Sequence, residues 1–313
     1  MDGERLSDTL IAVDVGGTGI KAALCGPDGG LILARRLATP VDRGVPAVLA
    51  AIADVITELA AQGQQRRQPV TGVGLILPGI VDPAAGIARY STNLGWRDLP
   101  IRDEIQGRVG LPVAIDHDVR AAGLAEASLG AARGVAEALY LSIGTGIAAA
   151  CITGGRIVTG AGGLAGEIGH LPVLPDGERC ACGQVGCAET YASGAALARR
   201  YRAAGTDKLD AEQVIARAAA GDPVAVRVFQ EAITALARAL INYTLLFDPA
   251  LIVVGGGLSL AGARLLDPLA AAISAGLAWR CAPALVPAQF GADSGRLGAV
   301  LIGRQAASRG AGN

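Results

Sequence analysis

The sequence predicts an α/β protein built from two related halves, and three observations carry that expectation. Of its 313 residues 51% are hydrophobic and only 3% aromatic, so the apolar mass is Ala, Val, Leu and Ile, with 45 glycines to turn the chain. That mixture suits alternating strands and helices, and the length suffices for two domains with a core each. The tetrapeptide Gly-Thr-Gly-Ile occurs at residues 17–20 and again at 144–147. Each copy follows an apolar strand and precedes a second apolar run that ends in a glycine turn, the pattern of a duplicated unit.

In the first half, residues 10–15 alternate toward Asp14 and a turn of Gly16, Gly17 and Thr18. Backbone N–H groups there are unobstructed by side chains, and with the Thr hydroxyl they make a donor set suited to phosphate oxygens. One copy would read equally well as a tight hairpin; two, at the start of both halves, favour a triphosphate held between two domains. Lys21, one of only two lysines, is either a phosphate partner or a solvated strand residue. Asp14 suits Mg2+, which keeps its waters and touches few carboxylates. Residues 26–30, Gly-Pro-Asp-Gly-Gly, close the hairpin. Val48, Leu49, Ile52, Val55, Ile56 and Leu59 then recur at helical spacing over 46–60. Residues 70–77 read as a buried strand ending at Pro78-Gly79, followed by a loop carrying Asn93, Trp96 and Arg97. A short strand, 113–115, delivers Asp116, His117 and Asp118 to an alanine-rich helix over 119–131.

The second half opens with eighteen uncharged residues, 138–155. Ser142, Gly144, Thr145, Gly146 and Thr153 interrupt them, so they read as strand, glycine turn and strand in a core and not as a membrane span. Helices are expected over 190–204 and 211–220. The longest helix starts at Asp222-Pro223, an N-cap followed by an N1 proline, and stops before Asp248-Pro249. A buried strand, 251–254, runs into Gly255, Gly256 and Gly257, which either admit a flat base or phosphate to the backbone or form a packing loop. A last helix, 296–307, is expected back on the first domain. The expected division is therefore 1–118 with 296–313, and 119–295.

A net charge of −1 without basic blocks lacks the electrostatic footprint of a nucleic-acid or anionic-membrane binder. Asp2, Glu4, Arg5 and Asp8 precede only a short uncharged run, so a cytoplasmic protein is expected, without a secretory signal.

Residues 166–189 concentrate chemistry. His170, Cys180, Cys182 and Cys187 offer an imidazole and three thiolates, the ligand set of a closed tetrahedral zinc site; ordinary buried or redox-active thiols are the alternative. Glu167 and Glu189 flank the ligands, where a pinned loop would hold them against a substrate. Asp118, at a strand-to-helix junction, reads either as a general base for a hydroxyl attacking a γ-phosphate or as a helix cap. The helix N-terminus is expected to lower its pKa.

Asp14-Val-Gly-Gly-Thr-Gly-Ile-Lys21, Pro78-Gly-Ile-Val-Asp82, Asn93-Leu-Gly-Trp96, the turn at 144–147, Gly166-Glu-Ile-Gly-His170, Cys180-x-Cys182-Gly-x-x-Gly-Cys187-x-Glu189 and Gly255-Gly-Gly257 together resemble the ROK family of repressors, open reading frames and kinases. The resemblance implies a duplicated actin-like, hexokinase-like ATPase fold of two domains with an interdomain cleft. It also implies Mg·ATP as donor, a hexose as acceptor with glucose the default, a structural zinc ion and a homodimer. By motif, Asp14, Gly16, Gly17 and Thr18 with Lys21 resemble the first phosphate loop, and Gly144, Thr145 and Gly146 the second. Gly255, Gly256 and Gly257 would lie by the adenosine. Asp118 is similar to the base that takes the proton of the sugar 6-hydroxyl. Asn93, Glu167, His170 and Glu189 resemble the readers of sugar hydroxyls, with His170 also ligating zinc.

Two places depart from the family pattern. His117-Asp118-Val119-Arg120 stands where family kinases carry Asn-Asp-Ala-Asn; this puts His117 at a sugar-contacting position and Arg120 where it would depress the Asp118 pKa or meet an anionic group. Ala148, Ala149 and Ala150 replace glycines after the second loop and are expected to narrow the approach of a triphosphate. The rival acceptors are N-acetylglucosamine, N-acetylmannosamine and mannose. A non-catalytic sugar sensor is a rival role, as is a repressor, although only about nine residues precede the first strand.

Overall fold

The computed structural model describes residues 9–205 and 207–310. In chain order the elements are β1 (Thr9–Val15), β2 (Gly19–Cys25), β3 (Leu31–Ala38), α1 (Val45–Gln65), β4 (Val70–Leu77), β5 (Ile80–Asp82), β6 (Ile87–Ser91), β7 (Trp96–Leu99), α2 (Ile101–Val109), β8 (Val113–His117) and α3 (Asp118–Ser128). They continue with β9 (Ala138–Ile143), β10 (Ile147–Thr153), β11 (Arg156–Ile157), α4 (Ala188–Ala192), α5 (Gly194–Ala203), α6 (Ala211–Ala219), α7 (Pro223–Phe247), β12 (Leu251–Gly255), α8 (Ala263–Gly276), β13 (Ala284–Pro287) and α9 (Ser294–Gly310). Two compact units result. One takes in the chain up to Ala125, Gly160–Leu164 and the chain from Asp293; the other takes in Glu126–Thr159 and Ala165–Ala292.

The two units carry the same sheet. In the first, strand order is β3-β2-β1-β4-β8; in the second it is β11-β10-β9-β12-β13. The first three strands of each are antiparallel, and the remaining pairs are parallel. The Gly-Thr-Gly-Ile repeat sits at the same place in both, between the first two strands, so the duplication read from four residues extends to ten strands. Parallel sheets of this kind present the C-terminal ends of their strands to ligands. In the first unit that edge carries Asp14, the first turn after β1 and Asp118 after β8; in the second unit it carries the second turn after β9 and the triple glycine at the end of β12.

In the first unit the strands alternate between two cores. Ile11, Val13, Val15, Ile20, Ala22 and Leu24 pack with Val48, Ile52, Ile56 and Leu59 of α1, while Leu10, Ala12, Ala23 and Ile76 pack with Ala299, Val300 and Ile302 of α9. A sheet buried on both faces explains the nearly continuous apolar strands. Among the described residues α1 alone is long and apolar enough to cross a membrane, and its apolar stripe lies in this core. Residues 138–155 form the β9–β10 hairpin. In the second unit, β9, β10 and β12 bury Leu139, Leu141, Ile147, Ile252 and Val254 against α4, α5, α7 and α8.

Two expectations need correction. The segment after Pro78-Gly79, read as a loop, folds as an antiparallel three-stranded sheet, β5-β6-β7, and Trp96 in β7 is buried at 2% exposure. The helix expected over 190–204 is two helices, α4 and α5, broken at Ser193, whose backbone is extended and whose hydroxyl caps α5 by accepting from Ala196 N–H at 3.1 Å.

Close approach of α9 to β4 depends on glycine. A Cβ at Gly74 would lie 1.8 Å from the Ala299 carbonyl oxygen, backbone that cannot swing aside. Gly74→Ala is expected to cost about 1–3 kcal/mol or more and to lower Tm by several degrees in a thermal melt; an unchanged Tm would contradict this packing.

Candidate active site

In the first unit, the turn after β1 is shaped by Gly16 N–H donating to the Gly19 carbonyl at 2.9 Å. Thr39, which the sequence reading missed, braces it: its hydroxyl donates to Gly16 O at 2.6 Å and its N–H to Thr18 O at 3.4 Å. The N–H groups of Gly17 and Thr18 are left without protein acceptors among the described residues. Asn93 packs on this turn, close enough that a Cβ at Gly17 would lie 3.1 Å from its own Cβ. Asp14 faces Lys21 across the antiparallel register, Nζ to Oδ2 3.4 Å. Lys21 is largely exposed, so its charge is mobile and this pair is weak.

Asp118 begins α3. Its Oδ1 accepts from its neighbour Val119 N–H at 2.7 Å and lies 3.3 Å from His117 Nε2. Among the described residues it takes no bond from the Arg120 or Ala121 N–H, the positions a helix cap usually serves. Burial, and then the Asp14 carboxylate, push this carboxyl up to about 7, outweighing the Val119 N–H and the Arg120 charge, which pull it down. The expected depression is therefore overturned. Its side chain is still 37% accessible, so protein packs it closely on most sides while one flank stays open to a reactant.

Of the two residues beside it, Arg120 pulls the Asp118 pKa down as expected, although other causes outweigh it, and it is also tied into the fold. Arg120 is 2% exposed; Nε donates to Asp116 Oδ1 at 2.8 Å, Nη1 to Gly163 O at 2.8 Å and Nη2 to Val81 O at 2.9 Å. Bonded through all three nitrogens and buried, this guanidinium straps three segments of the first unit together and is not exposed to an anionic substrate. His117 is buried at 8% exposure, and the group its Nε2 approaches is the Asp118 carboxyl.

In the second unit, Gly144 N–H donates to Gly146 O at 2.9 Å and Ile147 N–H to Glu189 Oε2 at 2.6 Å. The turn thus keeps only the Thr145 and Gly146 N–H groups and the Thr145 hydroxyl for a ligand. Ala149 and Ala150 are 2% and 0% exposed; their methyl groups fill the core and do not narrow any approach, which removes that expected obstacle for two of the three alanines. A pocket of about 520 Å3 opens beside the turn, lined by Gly144 and Thr145, by Ala198 of α5, by Glu212 and Ile215 of α6, and by Gly257 and Leu258 after β12. Its size suits a nucleoside. Of the three glycines, Gly255 and Gly256 are held against Tyr140 and Ile143, and only Gly257 faces open space. The α5 and α6 lining was missed because small and mixed residues carry no local signature.

The Cys/His loop follows. Its His170 nitrogen and the Cys180, Cys182 and Cys187 sulfurs all lie within 4.8 Å of one another, and all three thiols are unbridged. Cys180 Sγ to His170 Nδ1 and Cys182 Sγ to Cys187 Sγ are each 3.7 Å. A tetrahedron with metal–sulfur bonds near 2.3 Å has edges of about 3.8 Å, so the donor set fits zinc in both chemistry and spacing. The other imidazole nitrogen, Nε2, faces Glu167 Oε2 at 3.9 Å. One ring therefore has a cysteine-facing and a carboxylate-facing side.

A sheet duplicated in this way, with a glycine turn between the first two strands of each copy, is that of the actin-like phosphotransferases. This chain is a phosphotransferase of that class with an alcohol acceptor. It belongs to the ROK family, whose model matches residues 10–306. It is 36% identical over 275 residues to a glucokinase of Thermotoga maritima, covering 83% of this chain and 85% of that one. It is 32% identical over 301 residues to an N-acetylmannosamine kinase of Escherichia fergusonii, covering 94% and 98%. A ROK family glucokinase from Streptomyces griseus, solved in complex with glucose and AMPPNP, superposes with a TM-score of 0.81 at 33% identity, covering 95% of this chain and 99% of that one.

Replacing Arg120 by Met would strand two buried carbonyls and the Asp116 carboxylate. The expected loss is about 3–5 kcal/mol, read as a lower midpoint in thermal or urea unfolding, and a variant of unchanged stability would contradict the strap.

Proposed function

We propose that this protein transfers the γ-phosphoryl group of Mg·ATP to the 6-hydroxyl of a hexose, with glucose the first candidate and Asp118 the general base. The observation that carries the reading is Asp118 itself, a carboxyl open on one flank and raised to about 7 by burial and Asp14. A base poised near the working pH combines a useful ionised fraction with real proton affinity. The 6-hydroxyl oxygen attacks the γ-phosphorus, the bond from that phosphorus to the β–γ bridging oxygen breaks, and the hydroxyl proton passes to Asp118, giving sugar 6-phosphate and ADP.

The first unit contributes the base, Asn93 for a sugar hydroxyl, and the Gly17 and Thr18 donors for phosphate oxygens. The second contributes the Thr145 and Gly146 donors, the nucleoside pocket closed by Gly257, and Glu167, His170 and Glu189 as hydroxyl readers. Magnesium, when bound with the nucleotide, neutralises phosphate charge, and Asp14 would hold its waters. Zinc would be held by His170 Nδ1, Cys180, Cys182 and Cys187. Its role is structural, since all four of its positions are taken by protein. Support for glucose comes from the Thermotoga and Streptomyces relatives. N-acetylmannosamine is the second reading, because a kinase for that sugar is a comparably similar relative and His117 changes the surroundings of the base.

A hexose panel in a coupled ADP-release assay tests the reading. Wild-type turnover on one of these sugars should rise with pH through about 7, as the base ionises. Asp118→Asn should lower kcat by about 10^2–10^4-fold while remaining folded. Its stability has the opposite pH sign from an ordinary salt-bridged aspartate. Because the folded-state pKa is raised above the unfolded 3.8, the contribution of Asp118 is fully present below pH 4 and is lost as pH rises through about 7. The Asn variant should therefore melt higher than wild type above pH 7 and show no such gain in acid. Turnover by the variant at the wild-type rate would rule Asp118 out as the base.

Metal analysis of protein purified without added metal should find close to one zinc per chain, and Cys187→Ser should lose it. Metal-free wild type with full sugar affinity would remove zinc from the account.

A further inference from the structure

The Cys/His loop and the second glycine turn are joined at several points within one unit. Cys187 starts α4, and two residues on, Glu189 turns its Oε2 onto Ile147 N–H at 2.6 Å. The carboxylate sits so close that a Cβ at Gly146 would lie 2.6 Å from Oε2. At the other end of the turn, Gly194 N–H, at the start of α5, donates to Gly144 O at 2.8 Å. The His170 side of the loop is pinned to the same strand: Ala149 N–H donates to Gly166 O at 2.8 Å, and a Cβ at Gly169 would lie 2.2 Å from Ile147 O. A charged acceptor on a backbone N–H is the strongest of these bonds, and Glu189 Oε1 has no hydrogen-bond partner among the described residues.

We propose that Glu189 is a positioning residue for the phosphate donor: it fixes the Gly144, Thr145 and Gly146 turn to the metal loop, so that nucleotide affinity depends on the loop even when no sugar is present. This rests on the kinase reading and deepens it, giving Glu189 a second role beside sugar recognition. Metal release should loosen Glu189 through Cys187 and weaken nucleotide binding together with sugar binding.

The test uses the full-length, metal-loaded protein without sugar. AMPPNP with Mg2+ is titrated calorimetrically, and exchange of the Ile147 amide with deuterium is followed by NMR. Glu189→Ala should raise the AMPPNP Kd about tenfold or more and speed Ile147 exchange at least tenfold. Glu189→Gln, which keeps an acceptor oxygen, should restore both to within about threefold. Chelation of the metal from wild type should reproduce the Ala result, which covers the case of an Ala variant that does not fold. If either Ile147 exchange or AMPPNP affinity is unchanged both by chelation and in the folded Ala variant, the proposal is overturned. If wild type binds no AMPPNP, the kinase reading fails separately. The Ile147 exchange then decides the link alone: unchanged exchange overturns it, and faster exchange on chelation upholds the tie between loop and turn.

Discussion

Two carboxylates at the C-terminal edge of one sheet set the terms for the first unit. Asp14 ends β1 and Asp118 follows β8, and both strands run parallel through β4. Their mutual repulsion, added to burial, holds Asp118 away from the ordinary carboxylate range. The neighbouring structure is arranged so that this is not undone. Arg120, the nearest fixed positive charge in sequence, is spent on Asp116 and two carbonyls, and its pull on Asp118 is outweighed. Lys21 leans on Asp14 from an exposed strand position, too mobile to neutralise it. A raised carboxyl is thus a consequence of where the topology ends its strands.

The second unit solves a different problem with the same sheet. Its turn after β9 offers the Thr145 and Gly146 N–H groups outward, and its Thr145 hydroxyl makes no bracing bond among the described residues. The brace comes from elsewhere: Glu189 at one end and Gly194 at the other, both from the segment that follows Cys187. In the first unit the corresponding brace is Thr39, a single hydroxyl at the end of β3. The duplicated turns are therefore alike in sequence and unlike in support, and only the second is tied to the Cys/His loop among the described residues.

Much of this was legible in the residues. The Gly-Thr-Gly-Ile repeat announced a duplicated sheet because a turn that must expose its backbone restricts residue choice severely. The Cys/His spacing announced four converging donors for a similar reason. The Asp222-Pro223 start of α7 could be placed to the residue, since cap and N1 proline are local chemistry. What was not legible depends on contacts distant in sequence. Arg120 looked like a free charge beside the base, and only the folded chain brings Val81 and Gly163 to it. The pKa of Asp118 was misjudged in sign because helix position is local, whereas Asp14 lies a hundred residues away. The break at Ser193 was hidden because an alanine-rich run satisfies helix periodicity on both sides of it.

The proposed role of Asp118 as base rests on a carboxyl raised by burial and by Asp14. The most direct measurement is a carbon-13 NMR titration of the Asp118 carboxyl in the resting protein, repeated with Asp14→Asn. The expected midpoint is near 7 and falls when the Asp14 charge is removed. A midpoint near 4 in the wild type, or one indifferent to Asp14, would contradict it.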